Sequence, residues 1–422
     1  MGDLLLAVSD LDTLYRAWRD VRANVAQTAW PHITGEMQAM DAAPLRVLLE
    51  LQTALREQNY QFAKKHGYTK RKSGGSRRGI AIHSVRDRIV QRAMLDVFYT
   101  ADSALQRQLG QLPAVLNHPR SFAGTPGRGL PQAIACIVEL IKTGAGAYVY
   151  SDMKDFFPCV PRAEVAGFVR ANVDDAEFAD LFARALTTEL DNADALDGLL
   201  DLFPGPSVGV AQGSLLSVLA GNITMRRFDE LLNADGLAMV RYLDDFVILA
   251  SDVNAVQRGF DTARAELARL GMACYLPGDG SQKAFLGRVA DGFDFLGCRI
   301  HPSGVSPSSK NRRKFLRALQ SIVAAAKQEI RAFKTGAKRH RRAEQTYLQT
   351  LALLDRKIRG WGDAYQFVTN RVTFAQMDAA IDEMLTDFRC WFARQLGETE
   401  PRVQRRMLGV ALLADTPPQK LK

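Results

Sequence analysis

Two adjacent carboxylates interrupt an apolar run in Val240-Arg-Tyr-Leu-Asp-Asp-Phe-Val-Ile-Leu-Ala250, and no other segment constrains this chain so tightly. Apolar stretches on both sides of Asp244-Asp245 make the pattern of a β-hairpin with its acids at the turn. Carboxylates held among apolar strands are costly unless a partner or a cation neutralises them. An Asp-Asp turn is common and says little by itself. A third acid, Asp152, lies at the end of another apolar, β-rich run, Tyr148-Val-Tyr-Ser-Asp-Met-Lys-Asp-Phe-Phe157. Two strand-borne acidic sites converging on one point meet the needs of a pair of hard divalent cations. Mg²⁺ takes oxygen ligands, and two such ions can bind the attacking and leaving oxygens of an in-line phosphoryl transfer.

Charge points the same way. The net charge of +9 is concentrated in two blocks. Residues 310–342 hold twelve Lys and Arg against one acid, and residues 61–92 hold ten against one, which leaves the rest of the chain net acidic. A basic run is often only a solvated helix face. Two of them flanking an acid-centred segment point instead to a channel that follows phosphates.

At 422 residues the chain exceeds one typical core and should divide into two or three domains. No stretch of about 18 uncharged apolar residues occurs, and Met1-Gly-Asp-Leu-Leu-Leu lacks a basic segment before a long apolar core, so a cytoplasmic protein without a membrane partner is expected. The five cysteines are never spaced as CxxC, which suggests neither a disulfide framework nor a zinc site. The histidines are scattered, and His83 reads as a packing residue.

Residues 1–60 are mostly helical in pattern, and the Gly-rich basic stretch 70–78 should be a hairpin or loop followed by a strand near 79–82. A helix from 87 to about 100, a Pro- and Gly-rich loop over 117–131 and a helix over 130–142 precede the strand that carries Asp152. A helical region then runs to about 190, and 191–201 is an acidic connection without an evident role. Gln212-Gly-Ser should open a helix whose apolar run ends near 232. Strands around 239–242 and 246–250 make the acid-bearing hairpin, and 253–270 is helical in spacing. This β-α-β-β-α order is that of an antiparallel sheet backed by helices, an α+β fold. After about residue 305 the pattern is helical throughout.

These segments resemble the ordered motifs of a bacterial reverse transcriptase, over roughly residues 60–370. The runs around Asp152 and Asp244 resemble its A and C motifs. Lys72-Ser-Gly-Gly-Ser-Arg-Arg78 and its continuation to Gln91 resemble the fingers segment that grips the incoming triphosphate, and Gln212 to Asn222 resembles motif B. Lys283 resembles the motif D lysine, and Asp294-Phe-Leu-Gly297 resembles the primer grip. Arg359-Gly-Trp-Gly-Asp-Ala-Tyr365 resembles the thumb of group II intron-type enzymes. Bacterial relatives usually carry Ser-Pro where this chain has Ser217-Val218. That loss relaxes a backbone constraint without removing a catalytic group.

The resemblance implies a right-hand polymerase. Residues 1–110 would be N-terminal helices and fingers. Residues 111–304 would be a palm with a fingers-associated insertion at about 160–205, and residues 305–422 a helical basic thumb and C-terminal tail. It implies an RNA-directed DNA polymerase with Asp152, Asp244 and the Met153 carbonyl on two Mg²⁺ ions (Mn²⁺ being an alternative), and Asp245 as a ligand or its support. Lys72 and Arg78 would contact the triphosphate, with Lys70, Arg71 and Arg77 able to substitute. Phe157 falls at the sugar gate, the alternative being that an aromatic after Phe156 is simply core. Gln212 and Gly213 would lie beside nucleotide and templating base, and Lys283 would donate a proton to pyrophosphate. Tyr242 would support the primer end, Phe295-Leu296-Gly297 would grip the primer, and Lys310, Arg312, Arg313 and Lys314 would touch duplex phosphates. Trp361 and Tyr365, four apart on one helix face, read as packing rather than base stacking. Asp155 reads as a capping or surface acid.

Leu243 and Phe157 oppose an RNA-dependent RNA polymerase, which would favour Gly before Asp-Asp and a small or polar gate. A non-catalytic RNA-binding scaffold with a polymerase fold is a second class, opposed by the presence of all three acids. The chain extends about fifty residues past Thr369, without an HNH-like cluster, RNase H acids or an integrase. Signature segments of retron enzymes are not found, and Gln212 differs from the residue typical of diversity-generating retroelements. The expectation is therefore a stand-alone antiphage-defence type. Such an enzyme would use a dedicated non-coding RNA template, dNTPs and a DNA product, as a homo-oligomer or with an accessory protein. A group II intron-derived or other retroelement enzyme is the alternative.

Overall fold

A computed structural model describes residues 1–26, 30–71, 75, 77–334, 346–397 and 399–415. The chain divides into two compact units, Met1–Val289 and Ala290–Lys422.

The first unit begins with four helices, Asp3–Val8, Leu11–Val25, Pro31–Asp41 and Pro44–Arg56. The second is typical of how the sequence sets them. Asp10 caps it by accepting the Thr13 N–H at 3.1 Å, and Leu14, Ala17, Trp18, Val21 and Val25 recur at helical spacing and are buried. Their apolar faces join one core with helix Val85–Phe98, helix Ala176–Leu186 and the main sheet.

Strands β1 (His66–Arg71) and β2 (Arg77–Ile82) form an antiparallel hairpin in the expected place, with Lys70 opposite Arg78. The acidic connection that the sequence left without a role braces this hairpin. Lys65 N–H donates to the Glu189 carbonyl at 2.8 Å, and Gly67 and the Asn192 amide exchange hydrogen bonds of 2.7 and 2.9 Å. Side chains at Gly67 and Gly79 would collide with Leu196 and with the Leu202 backbone, so the two glycines let 190–202 lie against the hairpin.

The main sheet contains β3 (Ala147–Lys154), β4 (Ala238–Tyr242), β5 (Asp245–Ala250), β6 (Ala273–Cys274) and β7 (Ala284–Arg288). All its pairings are antiparallel, and β3 lies at the centre, between β5 on one side and β6 and β7 on the other. Phe246 to Leu249 of β5 are wholly buried, because helices Leu130–Lys142 and Val253–Arg269 pack against the sheet. The fold is therefore α+β, as the motif order implied.

His83, just after β2, is a packing residue as expected. It is buried, shares a hydrogen bond of 3.1 Å between Nδ1 and the Gln91 amide, and is held near a pKa of about 3 by burial and then by Lys65 and Arg88. A folded-state pKa below the unfolded value means that the unfolded chain takes up the proton first, so acidification favours unfolding. Relative to His83→Gln, the wild type should lose about 1.4 kcal/mol of stability between about pH 7.5 and about pH 5.5. Urea unfolding of both proteins at several pH values checks this, and parallel stability curves would refute it.

The second unit has its own sheet, β8 (Phe293–Phe295), β9 (Cys298–His301) and β10 (Gly304–Pro307), antiparallel in the order β10-β9-β8. Helices Ser309–Lys334, Tyr347–Ala364, Val372–Leu396 and Pro401–Leu408 enclose a separate core that includes Leu319, Ala326, Ile330, Leu354, Phe388 and Met407. Trp361 stacks on Phe315 at 4.7 Å and touches Tyr365, so both aromatic residues of the thumb-like segment pack. No helix among the described residues is long and apolar enough to cross a membrane.

Candidate active site

The acid-bearing hairpin closes as tightly as the sequence suggested. Tyr242 pairs with Asp245, which leaves Leu243 and Asp244 as a two-residue turn. Leu243 takes a φ of +58°, a left-handed conformation uncommon for a side chain of its size. Neighbouring groups fix it there: Arg241 donates to the Leu243 carbonyl at 3.2 Å, and the Met153 N–H donates to the Asp244 carbonyl at 2.9 Å. On the neighbouring strand, Asp152 stands directly opposite Asp245. The three acids thus gather at one end of the sheet.

Their electrostatics follow. Burial, reinforced by the charge of Asp244, raises Asp245 to about 7, against a hydrogen bond of 2.9 Å donated by the Tyr150 hydroxyl. Burial also raises Asp244, aided by the Asp152 charge and opposed by Lys283 and Arg78. The Lys283 ammonium lies 2.6 Å from the Asp152 carboxylate and over the Tyr275 ring at 4.4 Å. Mutually repelling, oxygen-only donors fit a hard divalent cation. Among the described residues no three acidic, imidazole or thiol groups form a complete cage. A cation at Asp152 and Asp244 would finish its shell with backbone carbonyl, water and substrate phosphate, the usual habit of Mg²⁺. Asp245 is turned to Tyr150.

The residue that sequence reasoning missed is Arg241. It is wholly buried and places all five N–H groups. Two go to the Asp229 carboxylate at 2.7 and 2.6 Å, and the others to Asn222, Ser121 and the Leu243 carbonyl. A charge in the middle of an apolar run was the available signal. Tyr150, two residues before Asp152 and so on the same face of β3, was missed too.

The remaining residues fall as follows. Arg78 is exposed on β2, and its charge reaches Asp244. Lys72 lies outside the described residues. Gln212 accepts the Ala81 N–H at 2.9 Å, and a Cβ on Gly213, whose φ is +117°, would come within 2.7 Å of the Ala81 carbonyl. The backbone that approaches this glycine is therefore β2. Phe156 is core, whereas Phe157 stays half-buried, its carbonyl accepting the Val210 N–H at 2.9 Å. In the second unit, Leu296 and Gly297 make the two-residue turn between β8 and β9, both with positive φ. The Gly297 carbonyl accepts from Ser308 at 2.9 Å. Lys310, Arg313 and Lys314 are exposed on the first turns of helix Ser309–Lys334, and Arg312 is half-buried, donating to the Ser309 hydroxyl at 3.0 Å.

Residues 64–300 match the family described as reverse transcriptase (RNA-dependent DNA polymerase). The chain belongs to the reverse transcriptase family. It is 27% identical over 318 residues to protein YkfC of Escherichia coli K12, covering 64% of this chain and 75% of that one. It is 32% identical over 171 residues to the retron Mx65 reverse transcriptase of Myxococcus xanthus, covering 37% of this chain and 36% of that one. An uncharacterized 91 kDa protein in a cob intron of Schizosaccharomyces pombe is 24% identical over 196 residues, 46% of this chain and 22% of that protein. The activity that names the family is RNA-directed DNA polymerisation, and Asp152, Asp244 and Asp245 of this reverse transcriptase all lie within the matched residues.

Proposed function

We propose that this chain extends a primer 3′-hydroxyl with deoxynucleotides on an RNA template. The observation that supports this most directly is the gathering of Asp152, Asp244 and Asp245 at one sheet end, within electrostatic reach of Arg78 on the fingers hairpin. Asp152 and Asp244 would hold Mg²⁺ or Mn²⁺ with the Met153 carbonyl. When bound, the cations supply charge neutralisation for the attacking oxygen and the departing pyrophosphate. The protein's own groups position the reactants. Arg78, with Lys72, would pair with the triphosphate through charge-assisted hydrogen bonds, Tyr242 would support the primer end, and Lys283 would protonate pyrophosphate. Phe295 to Gly297 and the thumb cations Lys310, Arg312, Arg313 and Lys314 would hold primer and duplex phosphates, in a fingers (1–110), palm (111–304) and thumb (305–422) division. Primer extension on RNA with dNTPs and either cation tests this, and an inert wild-type protein with every primer would overturn it.

Sugar choice is assigned to Phe157, the half-buried ring five residues after Asp152. Phe157→Val should lower the preference for dNTP over NTP by about tenfold or more, because the steric exclusion of a 2′-hydroxyl is lost. Single-nucleotide incorporation with both sugars on one RNA template measures the ratio. An unchanged ratio would return Phe157 to the core.

We also propose a dedicated non-coding RNA template and a role in antiphage defence, alone, as a homo-oligomer or with an accessory protein. The support is the resemblance of the motif set together with the identity shared with a retron reverse transcriptase. Sequencing the RNA and cDNA bound to the purified protein, and phage challenge of cells carrying it, test both.

A further inference from the structure

Tyr275 directly follows β6, and main-chain groups tie it to β3. Its N–H donates to the Asp152 carbonyl at 3.1 Å, and its carbonyl accepts from the Ser151 hydroxyl at 2.8 Å. The half-buried ring is thus fixed to the strand that carries Asp152. Two ammonium groups lie over it, Lys283 at 4.4 Å and Lys154 at 4.9 Å from its centre. Lys283 is anchored differently. It is exposed and follows a loop, 276–282, in which Gly278, Gly280 and Gln282 all take positive φ. That loop turns on its own Asp279, whose carboxylate accepts from Leu276 at 3.0 Å and Ser281 at 2.9 Å. A lysine side chain is a flexible four-carbon stem, so the end of such a loop does not by itself place the charge. The ammonium of Lys283 meets two groups that do: the Asp152 carboxylate at 2.6 Å and the Tyr275 ring.

We propose that Tyr275 is a positioning residue, which holds the Lys283 ammonium at the active site when the Asp152 carboxylate is turned to a divalent cation; this rests on the polymerase reading above. Asp152 cannot serve fully as counter-charge to both. A carboxylate shared with a dication attracts a lysine less, because the dication is the larger local charge. The ring's attraction for an ammonium comes from its own quadrupole and is not used up in this way. A lysine without either partner would sweep through many positions. One that stays over the ring remains within reach of an oxygen leaving beside Asp152, and proton transfer requires that reach. Lys154 shares the ring but projects from the end of β3, so it separates a general effect of the ring from an effect exerted through Lys283.

Two measurements on the full chain test this. In protein labelled with ¹³C at the lysine ε-carbon, the Lys283 methylene, assigned through Lys283→Ala, should be shifted upfield by the ring with and without Mg²⁺. Tyr275→Leu should abolish the shift, and Tyr275→Phe should keep it. Loss of the shift when Mg²⁺ is added to the wild type, or its survival in Tyr275→Leu, would overturn the proposal. In primer extension, Tyr275→Leu should lower kcat about three- to thirtyfold, the range of a cation–π contact, and Tyr275→Phe should recover it. Added to Lys283→Ala, Tyr275→Leu should cost nothing further, whereas added to Lys154→Ala it should cost its full amount. An equal further loss in the Lys283→Ala background, or a Tyr275→Phe enzyme as slow as Tyr275→Leu, would reduce Tyr275 to loop packing. The resonance needs no turnover, so a wild type inert with every primer would sink the polymerase reading separately.

Discussion

Asp244→Ala should cut nucleotide incorporation by more than about a hundredfold, as expected for loss of a direct metal ligand, while leaving the protein folded. Both halves follow from the turn. The carboxyl of Asp244 contributes charge rather than packing, and burial and the Asp152 charge already press it toward its neutral form, so removing it relieves repulsion. The turn itself is fixed through main-chain groups, the Leu243 and Asp244 carbonyls, which alanine preserves. Primer extension together with a thermal unfolding curve separates the two effects. Near-normal synthesis by the Asp244→Ala, Asp245→Ala double variant would end the polymerase reading.

Arg241→Met carries the largest expected effect on stability. It leaves the Asp229 carboxylate buried without its partner, which costs about 3–5 kcal/mol. It also strips the Leu243 carbonyl of a donor at the position where the backbone is strained. The double variant Arg241→Met, Asp229→Leu removes both charges and should regain most of the stability. Activity should stay low in that double variant, since the turn still lacks its donor. Arg241→Lys keeps the charge but offers three donors where five are used, and should fall in between. Urea unfolding read beside the rate and KM of incorporation checks the series. Full activity in the stable double variant would reduce Arg241 to a fold residue.

The parts of this site written in the sequence are those whose partners lie nearby or whose chemistry needs one residue type. Acids at the ends of apolar strands announced β3, β4 and β5, and helix Leu130–Lys142 falls where its spacing put it. What escaped depends on distant partners. Arg241 reads locally as one polar residue in a strand, and its meaning comes from Ser121, Asn222 and Asp229, which the fold alone brings to it. The 191–201 stretch looked like an acidic linker because nothing in its composition names Lys65 and Gly67 as hydrogen-bond partners more than a hundred residues earlier. Gly213 was read as lying beside nucleotide and templating base. Its neighbour is the Ala81 backbone, which no local pattern could specify.

The hydrogen bonds from Ala81 to Gln212 and from Val210 to Phe157 join β2, the loop before helix Leu216–Thr224 and the proposed gate through peptide groups alone. Mutation changes side chains and leaves peptide groups in place. The ring at position 157 can therefore be exchanged by evolution or by an engineer without loosening the frame that sets its distance from the hairpin. On the proposed assignment of Phe157, sugar preference becomes a trait that one codon can retune, while at position 213 any codon other than glycine puts a side chain against the hairpin backbone.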